Sequence, residues 1–365
     1  MRAFILTLVL LAAALNGPAM AQQAVPFRGD RMVTVMTRNV YHGVNAEFSQ
    51  VAAATSLPDL IAKVAGVYNG YHARNFPERA AAIAAEIEAT RPDLIGLQEA
   101  VLVRTQSPPD GPATPATTVD LDYVQLLIDA LAARGLTYER VATSIGWDIE
   151  LPSALGFDVR HTDREVILAR ADLKTADLKL SNAQTGHFAT NCVLRTNIGP
   201  ITIKRGWVSV DVKIRGTQFR LVSTHLDGDC ADPAIQIAQA SELLVGPAAT
   251  DLPVVFIGDF NSDANGGPTG AYGVLVSAGF ADAWPIAGSG PGLTCCQDSF
   301  LLSPVSLLSR RIDLVLFRGD FGVMGTGVTG DDPADRTPTG LWPSDHAGVM
   351  ATLQLPQSVS VEDGQ

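Results

Sequence analysis

The chain has 365 residues; 47% are hydrophobic and 18% charged, and 26 Lys and Arg stand against 38 Asp and Glu, a net charge of −12. That apolar content supports a sizeable core and excludes wholesale disorder. The acidic balance excludes a polybasic protein that grips nucleic acid by neutralising phosphates, but not an enzyme whose bound metal supplies positive charge locally.

Met1-Arg2, an apolar run over 3–15 broken only by Thr7, and the small-x-small site Ala19-Met20-Ala21 predict a secretory signal peptide over 1–21, cut before Gln22. The run falls short of the about 20 apolar residues that a spanning helix needs. The mature protein is therefore expected to be secreted or periplasmic, without a transmembrane anchor, and 22–365 reads as a single domain. A first strand alternates over 32–37 and reaches Arg38-Asn39. Pro77 opens a helix with Ala80, Ile83, Ala84 and Ile87 on its apolar face, and Arg91-Pro92 stops it. A strand over 93–99 follows, then a Pro- and Gly-rich surface loop over 107–118. A second helix over 121–134 is closed by Gly135 as a left-handed cap. Strands are predicted over 165–169, 208–214 and 219–224, the last two joined by an Arg215-Gly216 turn that makes them a hairpin. A third helix covers 234–245 behind Pro233, and strands over 253–258, 312–317 and 349–353 complete the set. Hairpins mixed with intervening helices predict an α+β sandwich rather than a doubly wound sheet.

Four cysteines, Cys192, Cys230, Cys295 and Cys296, allow three pairings, and the sequence does not choose among them. A bridge between the adjacent Cys295 and Cys296 is not expected, because it would strain the peptide between them. No CxxC spacing or Cys/His cluster points to zinc.

The polar residues that carry chemistry stand at strand ends. Asn39 ends the first strand, Glu99 ends LIGLQE, His225 ends LVSTH, and Asp259 and Asn261 follow VVFIG in GDFN. Asp313 starts RIDLVLF, and Asp345-His346 precede the last strand in SDHAGVM. Strand ends gather sequence-distant residues at one rim of a sheet. The oxygen ligands Asn39, Glu99, Asp259 and Asp345 suit Mg²⁺, Mn²⁺ or Ca²⁺, and two histidines beside carboxylates supply what general acid–base work requires. Singly, each is an ordinary turn residue, strand cap or core histidine; their joint order along one chain carries the weight.

That order resembles the endonuclease/exonuclease/phosphatase superfamily, through TRN at 37–39, LQE at 97–99, DRE at 163–165, STHL at 223–226, GDFN at 258–261, RID at 311–313 and SDH at 344–346. The resemblance implies a four-layer α/β/β/α sandwich of two mixed sheets flanked by helices. It also implies hydrolysis of a phosphate ester by in-line attack of water with a divalent metal, Mg²⁺ or Mn²⁺ first and Ca²⁺ as a further candidate. By the same resemblance Glu99 is the principal metal ligand, assisted by Asn39, with Asp345 near the metal. Asp259 orients or deprotonates the water, Asn261 holds the phosphate, and His346 paired with Asp313 is the acid–base histidine. His225 contacts the scissile phosphate, and Arg164 falls where some members carry a phosphate-facing arginine.

The motifs do not select a branch. A nuclease is the first expectation, so nucleic acid is preferred to phospholipid as partner, with no obligate protein partner. A sphingomyelinase or phospholipase C-like enzyme is the alternative, with Phe300-Leu301-Leu302 and Leu307-Leu308 as its apolar edge. A phosphomonoesterase comes third, since no lysine or arginine cluster awaits several phosphates. A non-catalytic binding protein on the same scaffold is disfavoured by the full set of candidate residues. The segments 146–152 and 292–296 match no motif and are expected to be loops that shape substrate choice.

Overall fold

The computed structural model describes residues 31–197, 199–266 and 270–355; the expected signal peptide over 1–21 lies outside them. In chain order the elements are β1 (Met32–Asn39), α1 (Asn45–Ala52), α2 (Leu57–Ala73), α3 (Phe76–Thr90), β2 (Leu94–Gln98), β3 (Leu102–Gln106), β4 (Thr118–Asp122) and α4 (Tyr123–Ala133). The middle of the chain gives β5 (Tyr138–Pro152), β6 (Asp158–Arg170), β7 (Leu178–His187), β8 (Cys192–Thr196), β9 (Gly199–Ile203), β10 (Gly206–Ile214), β11 (Thr217–His225) and α5 (Pro233–Val245). The last part gives β12 (Val254–Asp259), α6 (Ala271–Ser277), β13 (Ala281–Asp282), α7 (Ala283–Ala287), β14 (Asp313–Arg318), β15 (Gly322–Thr329) and β16 (Gly348–Gln354).

An 8-stranded sheet runs β15-β16-β1-β2-β6-β3-β4, with β5 paired on β6; a 6-stranded sheet runs β13-β14-β12-β11-β10-β7; β8 and β9 form a separate hairpin. Strand alternation explains the layering. Val33 and Val35 of β1 meet Leu221 of β11 and Val255 and Ile257 of β12 in the core between the sheets. Met36, Ile95 and Leu97 face the other way, against Val64, Val67, Ile83, Ile87 and Leu127 of the helices over the first sheet. Val254 and Phe256 likewise face Ala240 and Leu243 of α5 and Leu275 of α6. The result is the four-layer α/β/β/α sandwich of mixed sheets. Helix ends follow local chemistry: Ser56, Asp122 and Asp232 cap α2, α4 and α5 through their side-chain oxygens, and Arg91 ends α3 in a left-handed turn before Pro92.

The sheets approach most closely below one rim. A β-carbon on Gly96 would lie 2.5 Å from Ser223 Oγ and 2.8 Å from Ile257 Cδ1, so only glycine fits there. Beside it, Thr37 Oγ1 donates to Gln98 Oε1 at 3.0 Å and Gln98 Nε2 donates to Ser223 Oγ at 3.1 Å. These buried bonds lock the two sheets in register at the end where the polar residues gather.

Two expectations are corrected. Residues 146–152 are not a loop; they belong to β5, which pairs with β6 except at a bulge between Ile145 and Asp148. Cys295 and Cys296 do bond each other, across a cis peptide that brings their Cα atoms to 3.0 Å and both side chains to one side. Cys192 bonds Cys230 with Cα atoms 5.7 Å apart. The 292–296 segment lies outside the helices and strands as expected, and the irregular chain continues to 309 with Leu301 buried against Tyr41 and Trp342. Among the described residues no helix is long and apolar enough to cross a membrane.

Candidate active site

Parallel pairing of β1 with β2 and of β11 with β12 brings Asn39, Glu99, His225 and Asp259 to one edge. The antiparallel partners β14 and β16 start at that edge, which adds Asp313 and Asp345-His346. Across the second sheet His225 is the register partner of Asp259, and Asp259 that of Asp313.

Hydrogen bonds tie these side chains into a row. Asn39 Nδ2 donates to Glu99 Oε1 at 3.0 Å and to Asp259 Oδ2 at 3.1 Å. The Asn261 backbone N–H donates to Asp259 Oδ1 at 2.9 Å, and Asn261 Nδ2 donates to the Leu226 carbonyl at 3.0 Å and lies 3.2 Å from His225 Nε2. His346 Nδ1 pairs with Asp313 Oδ2 at 2.8 Å, leaving Nε2 3.8 Å from Asp259 Oδ2. Glu99 and Asn261 sit at φ +56° and +50°, sparsely populated for such residues. Strain of this kind is commonly kept where a side chain must be aimed. Arg38 braces the row from behind, bonding Glu86 at 2.8 Å and the His346 carbonyl.

Burial sets the electrostatics. It pushes Asp259 up to about 7, reinforced by the Asp313 charge, and pushes Asp345 to about 7 as well. Burial also opposes charge on His346, but Asp313, Asp259 and Asp345 outweigh it and raise this imidazole well above its ordinary range. His225 goes the other way: desolvation and the Arg205 guanidinium push it well down, so it stays neutral. Burial would raise Glu99 too, yet His42, its backbone N–H included, and the Arg205 charge hold it well below the usual carboxylate range. Arg205 keeps its charge at every working pH and anchors this part of the field.

Sequence reasoning missed four members of the site. Arg205 lies under the rim, bonded to His225 Nδ1 at 2.9 Å, Asp163 at 3.2 Å and Asp229 at 3.0 Å. Glu165 lies 3.6 Å from His225 Nδ1, and His42 lies 3.6 Å from Glu99 and donates its backbone N–H to it at 2.9 Å. Asp163 and Glu165 were legible as the outer members of DRE; Arg205 stands in the sequence only as the second residue of Lys204-Arg205, which looks like an ordinary flanking pair. Arg164, the middle member, is the residue that does not join. Its side chain is on the other side of β6, donating to the Ala100 and Val101 carbonyls at 2.6 and 3.1 Å and to Asp122 at 2.5 Å. Adjacent strand residues point to opposite faces, so Arg164 braces the turn after Glu99 and does not face a phosphate there.

Three acidic groups are candidates for a metal. Asp163, Glu165 and His225 cluster within 4.8 Å, but Arg205 already supplies their cation. Asp259, Asp313 and His346 cluster equally closely; the imidazole pairs with Asp313 Oδ2 and supplies the cation there, although Asp313 Oδ1 is left without a partner. The Asn39, Glu99 and Asp345 set fits a hard cation best. Glu99 stays ionised, and Asp345 Oδ1 is buried with no hydrogen-bond partner.

Beyond Glu99 stands an aromatic wall. Trp147, at the β5 bulge, lies 4.6 Å from the Phe48 ring and 4.8 Å from His161, and His42 connects this group to Glu99. Gly146, beside Trp147, approaches Asp163 and the Lys204 carbonyl so closely that its missing β-carbon would lie 3.0 Å from the latter.

A family model described as Endonuclease/Exonuclease/phosphatase family matches residues 39–346. No curated protein matches the sequence. Among solved structures, a protein of the same family description from Bacteroides thetaiotaomicron is 17% identical with a TM-score of 0.56, over 89% of this chain and 98% of that one. A mannosyl-6-phosphatase from Bacteroides thetaiotaomicron VPI-5482 is 17% identical with a TM-score of 0.53, over 88% of this chain and 99% of that one. D. rerio TDP2 complexed with single strand DNA product is 17% identical with a TM-score of 0.52, over 88% of this chain and 98% of that one. At these identities the likeness to solved structures is one of fold.

Proposed function

Since the chain belongs to the endonuclease/exonuclease/phosphatase family, a family of hydrolases acting on phosphate esters, we propose that it is a divalent-metal-dependent phosphodiesterase cleaving nucleic acid by in-line attack of water. One observation carries this reading: the His346–Asp313 couple at 2.8 Å faces Asp259, which Asn39 links to Glu99. Asn39, Glu99 and Asp345 would hold Mg²⁺ or Mn²⁺, which when bound neutralises phosphate charge. Asp259, whose carboxyl is poised near neutrality at about 7, takes a proton from the attacking water. His346, kept charged by Asp313, donates a hydrogen bond to a phosphate oxygen, and as the opposite P–O bond breaks the leaving oxygen takes its proton from solvent. The Asn261 amide and neutral His225, in contact with each other at 3.2 Å, would meet the phosphate from one side.

A diester needs room on both sides of the phosphorus. The row from Glu99 to Asn261 has the aromatic wall of Trp147, Phe48 and His161 at its first end and a cavity of about 280 Å³ beside Asn261 at its last. The rings are inclined at 51° to 84° to one another and His161 is buried, so the half-buried Trp147 and Phe48 are the ones that can offer a face to a nucleobase. A second reading, a lipid phosphodiesterase, is favoured by one observation: Phe300, Leu302, Val305 and Leu307 are 54%, 56%, 58% and 46% exposed on the loop that contacts Tyr41 through Ser299. Export to a secreted or periplasmic location is part of the proposal; the Cys192–Cys230 bridge supports it, because such bonds persist in oxidising compartments.

The deciding experiment is a panel of single- and double-stranded DNA, RNA, sphingomyelin vesicles and bis-p-nitrophenyl phosphate, each with Mg²⁺ and with EDTA. Metal-dependent cleavage of nucleic acid is expected. Cleavage of vesicles alone would transfer the assignment to the lipid branch, and silence on every diester would overturn it.

A further inference from the structure

We propose that the cavity beside Asn261 is a pocket for a hydroxyl-rich sugar or polyol group carried by the substrate, with Asp227 as its hydrogen-bond acceptor and Arg310 as its donor. The inference deepens the phosphoesterase reading and rests on it only for the claim that this group is joined to the scissile phosphate.

The cavity measures about 280 Å³, the size class of one small ring, and Asp227, Asp232, Gln236, Asn261 and Arg310 line it. Asn261 is the residue it shares with the candidate row. A β-carbon on Gly228 would lie 2.5 Å from the Asn261 amide, so this wall of the cavity runs against the Asn261 side chain with no room for any residue but glycine. The wall is fixed: Cys230 is stapled to Cys192, and Gln236 and Gln239 bond the Asp227 backbone at 2.9 and 2.7 Å.

Asp227 is the group that points to a ligand. It is 2% exposed, its Oδ2 accepts the Cys230 N–H at 3.2 Å, and its Oδ1 is buried without a hydrogen-bond partner. An orphaned carboxylate oxygen is costly and calls for a donor. Asp232, by contrast, is engaged in capping α5. Arg310 borders the same space, and its Nη2 rests 3.3 and 3.4 Å from the Cys295 and Cys296 sulfurs, which are weak acceptors. Among the described residues no carboxylate lies within ion-pair distance of it.

The chemistry selects the occupant. A second anionic group would meet the Asp227 charge. An apolar group would leave Asp227 Oδ1 and the guanidinium without partners. Neutral hydroxyls satisfy both, donating to Asp227 and accepting from Arg310. Sites built around such hydrogen bonds reject analogues lacking the hydroxyl by large factors.

The test compares two probes of equal charge, ribose 5-phosphate and phenyl phosphate, titrated by NMR against the full chain without divalent metal. Ribose 5-phosphate is expected to bind about tenfold or more tightly than phenyl phosphate, and D227N and R310Q are each expected to bring that ratio close to one. Equal affinities in the wild type, or a preference that survives both substitutions, would overturn the pocket. The wild-type ratio needs no variant, and either substitution can carry the second arm if the other misfolds. Phosphate release from either probe with Mg²⁺ is scored separately. A preference without hydrolysis of any ester in the panel would leave the pocket standing and fail the phosphoesterase reading; hydrolysis without preference would do the reverse.

Discussion

Asp259 and Asp313 are register partners across the antiparallel pair β12 and β14, and both carboxylates lie within 4.8 Å of the same His346 ring nitrogens or of each other. Two buried carboxylates so placed cannot both ionise without a shared cation. The imidazolium divides them: Asp313 takes the 2.8 Å contact with Nδ1, and Asp259, 3.8 Å from Nε2, keeps an affinity for protons near neutrality. One histidine thereby assigns different work to two acids of the same type.

Replacing Asp313 by Asn removes the charge that sustains His346 while keeping a polar group in place. D313N and H346Q are each expected to lower kcat by about 10²- to 10⁴-fold with little change in KM. In the double variant the loss should not exceed the larger single loss by much, as for residues acting as a unit. Steady-state kinetics on bis-p-nitrophenyl phosphate measure this; independent, multiplying losses would separate the two residues.

Chelation should abolish hydrolysis, and Mg²⁺ or Mn²⁺ should restore it. E99Q is expected to weaken Mn²⁺ binding by at least about tenfold, read by calorimetric titration without any substrate. Undiminished Mn²⁺ affinity would move the metal away from Glu99.

Arg164 makes a different prediction, since it braces the Ala100–Val101 turn rather than a phosphate. R164M should melt at lower temperature yet keep its KM. Its partner Asp122 resists ionisation through burial, but the Arg164 hydrogen bond and charge outweigh this and hold it below the ordinary value. The folded pKa is thus below the unfolded value of about 3.9. The unfolded chain then binds more protons in that window, so this stabilisation is present above pH 4 and drains away as pH falls through the folded pKa. D122N still caps α4 and should lose about 1–2 kcal/mol at neutral pH, with a shallower decline in acid. Parallel acid limbs in urea titrations of the two proteins would contradict it.

Trp147 is expected to act on binding of bases. W147A should raise KM for single-stranded DNA by about 5- to 100-fold, while kcat/KM on bis-p-nitrophenyl phosphate stays within about twofold. W147F should recover much of the loss. Equal losses on both substrates would make the tryptophan a structural support for the bulge.

The Cys192–Cys230 bridge closes a loop of sequence separation 38. Replacing both cysteines by alanine should cost about 2–5 kcal/mol in a denaturant titration under oxidising conditions. No change would show the bridge is dispensable for stability.

The strands that carry chemistry were legible because each is a short apolar run ending in a polar residue. Those runs fix β1, β2, β11, β12, β14 and β16 to within a residue or two. α1 and α2 were not legible. Their apolar residues are diluted by small and polar ones, and Val64 and Val67 earn their burial only against the helix layer. β7 is almost wholly exposed, so no alternation marks it. The row of candidate site residues could be read since its members stand at strand ends. Arg205 could not, because its role comes from Asp163, Asp229 and His225, which approach it from three separate segments.

β16 lies against β1, pairing Met32 with Gln354 and Thr37 with Val349. The first and last described strands are thus neighbours in the sheet, and His346 enters the site only when β16 has docked. Asn39 and Glu99 lie in the first hundred residues and His346 near the end, so the row closes only when the two ends of the described chain have joined. A truncation before Ser344 would remove Asp345, His346 and the strand that links β15 to β1 in a single cut.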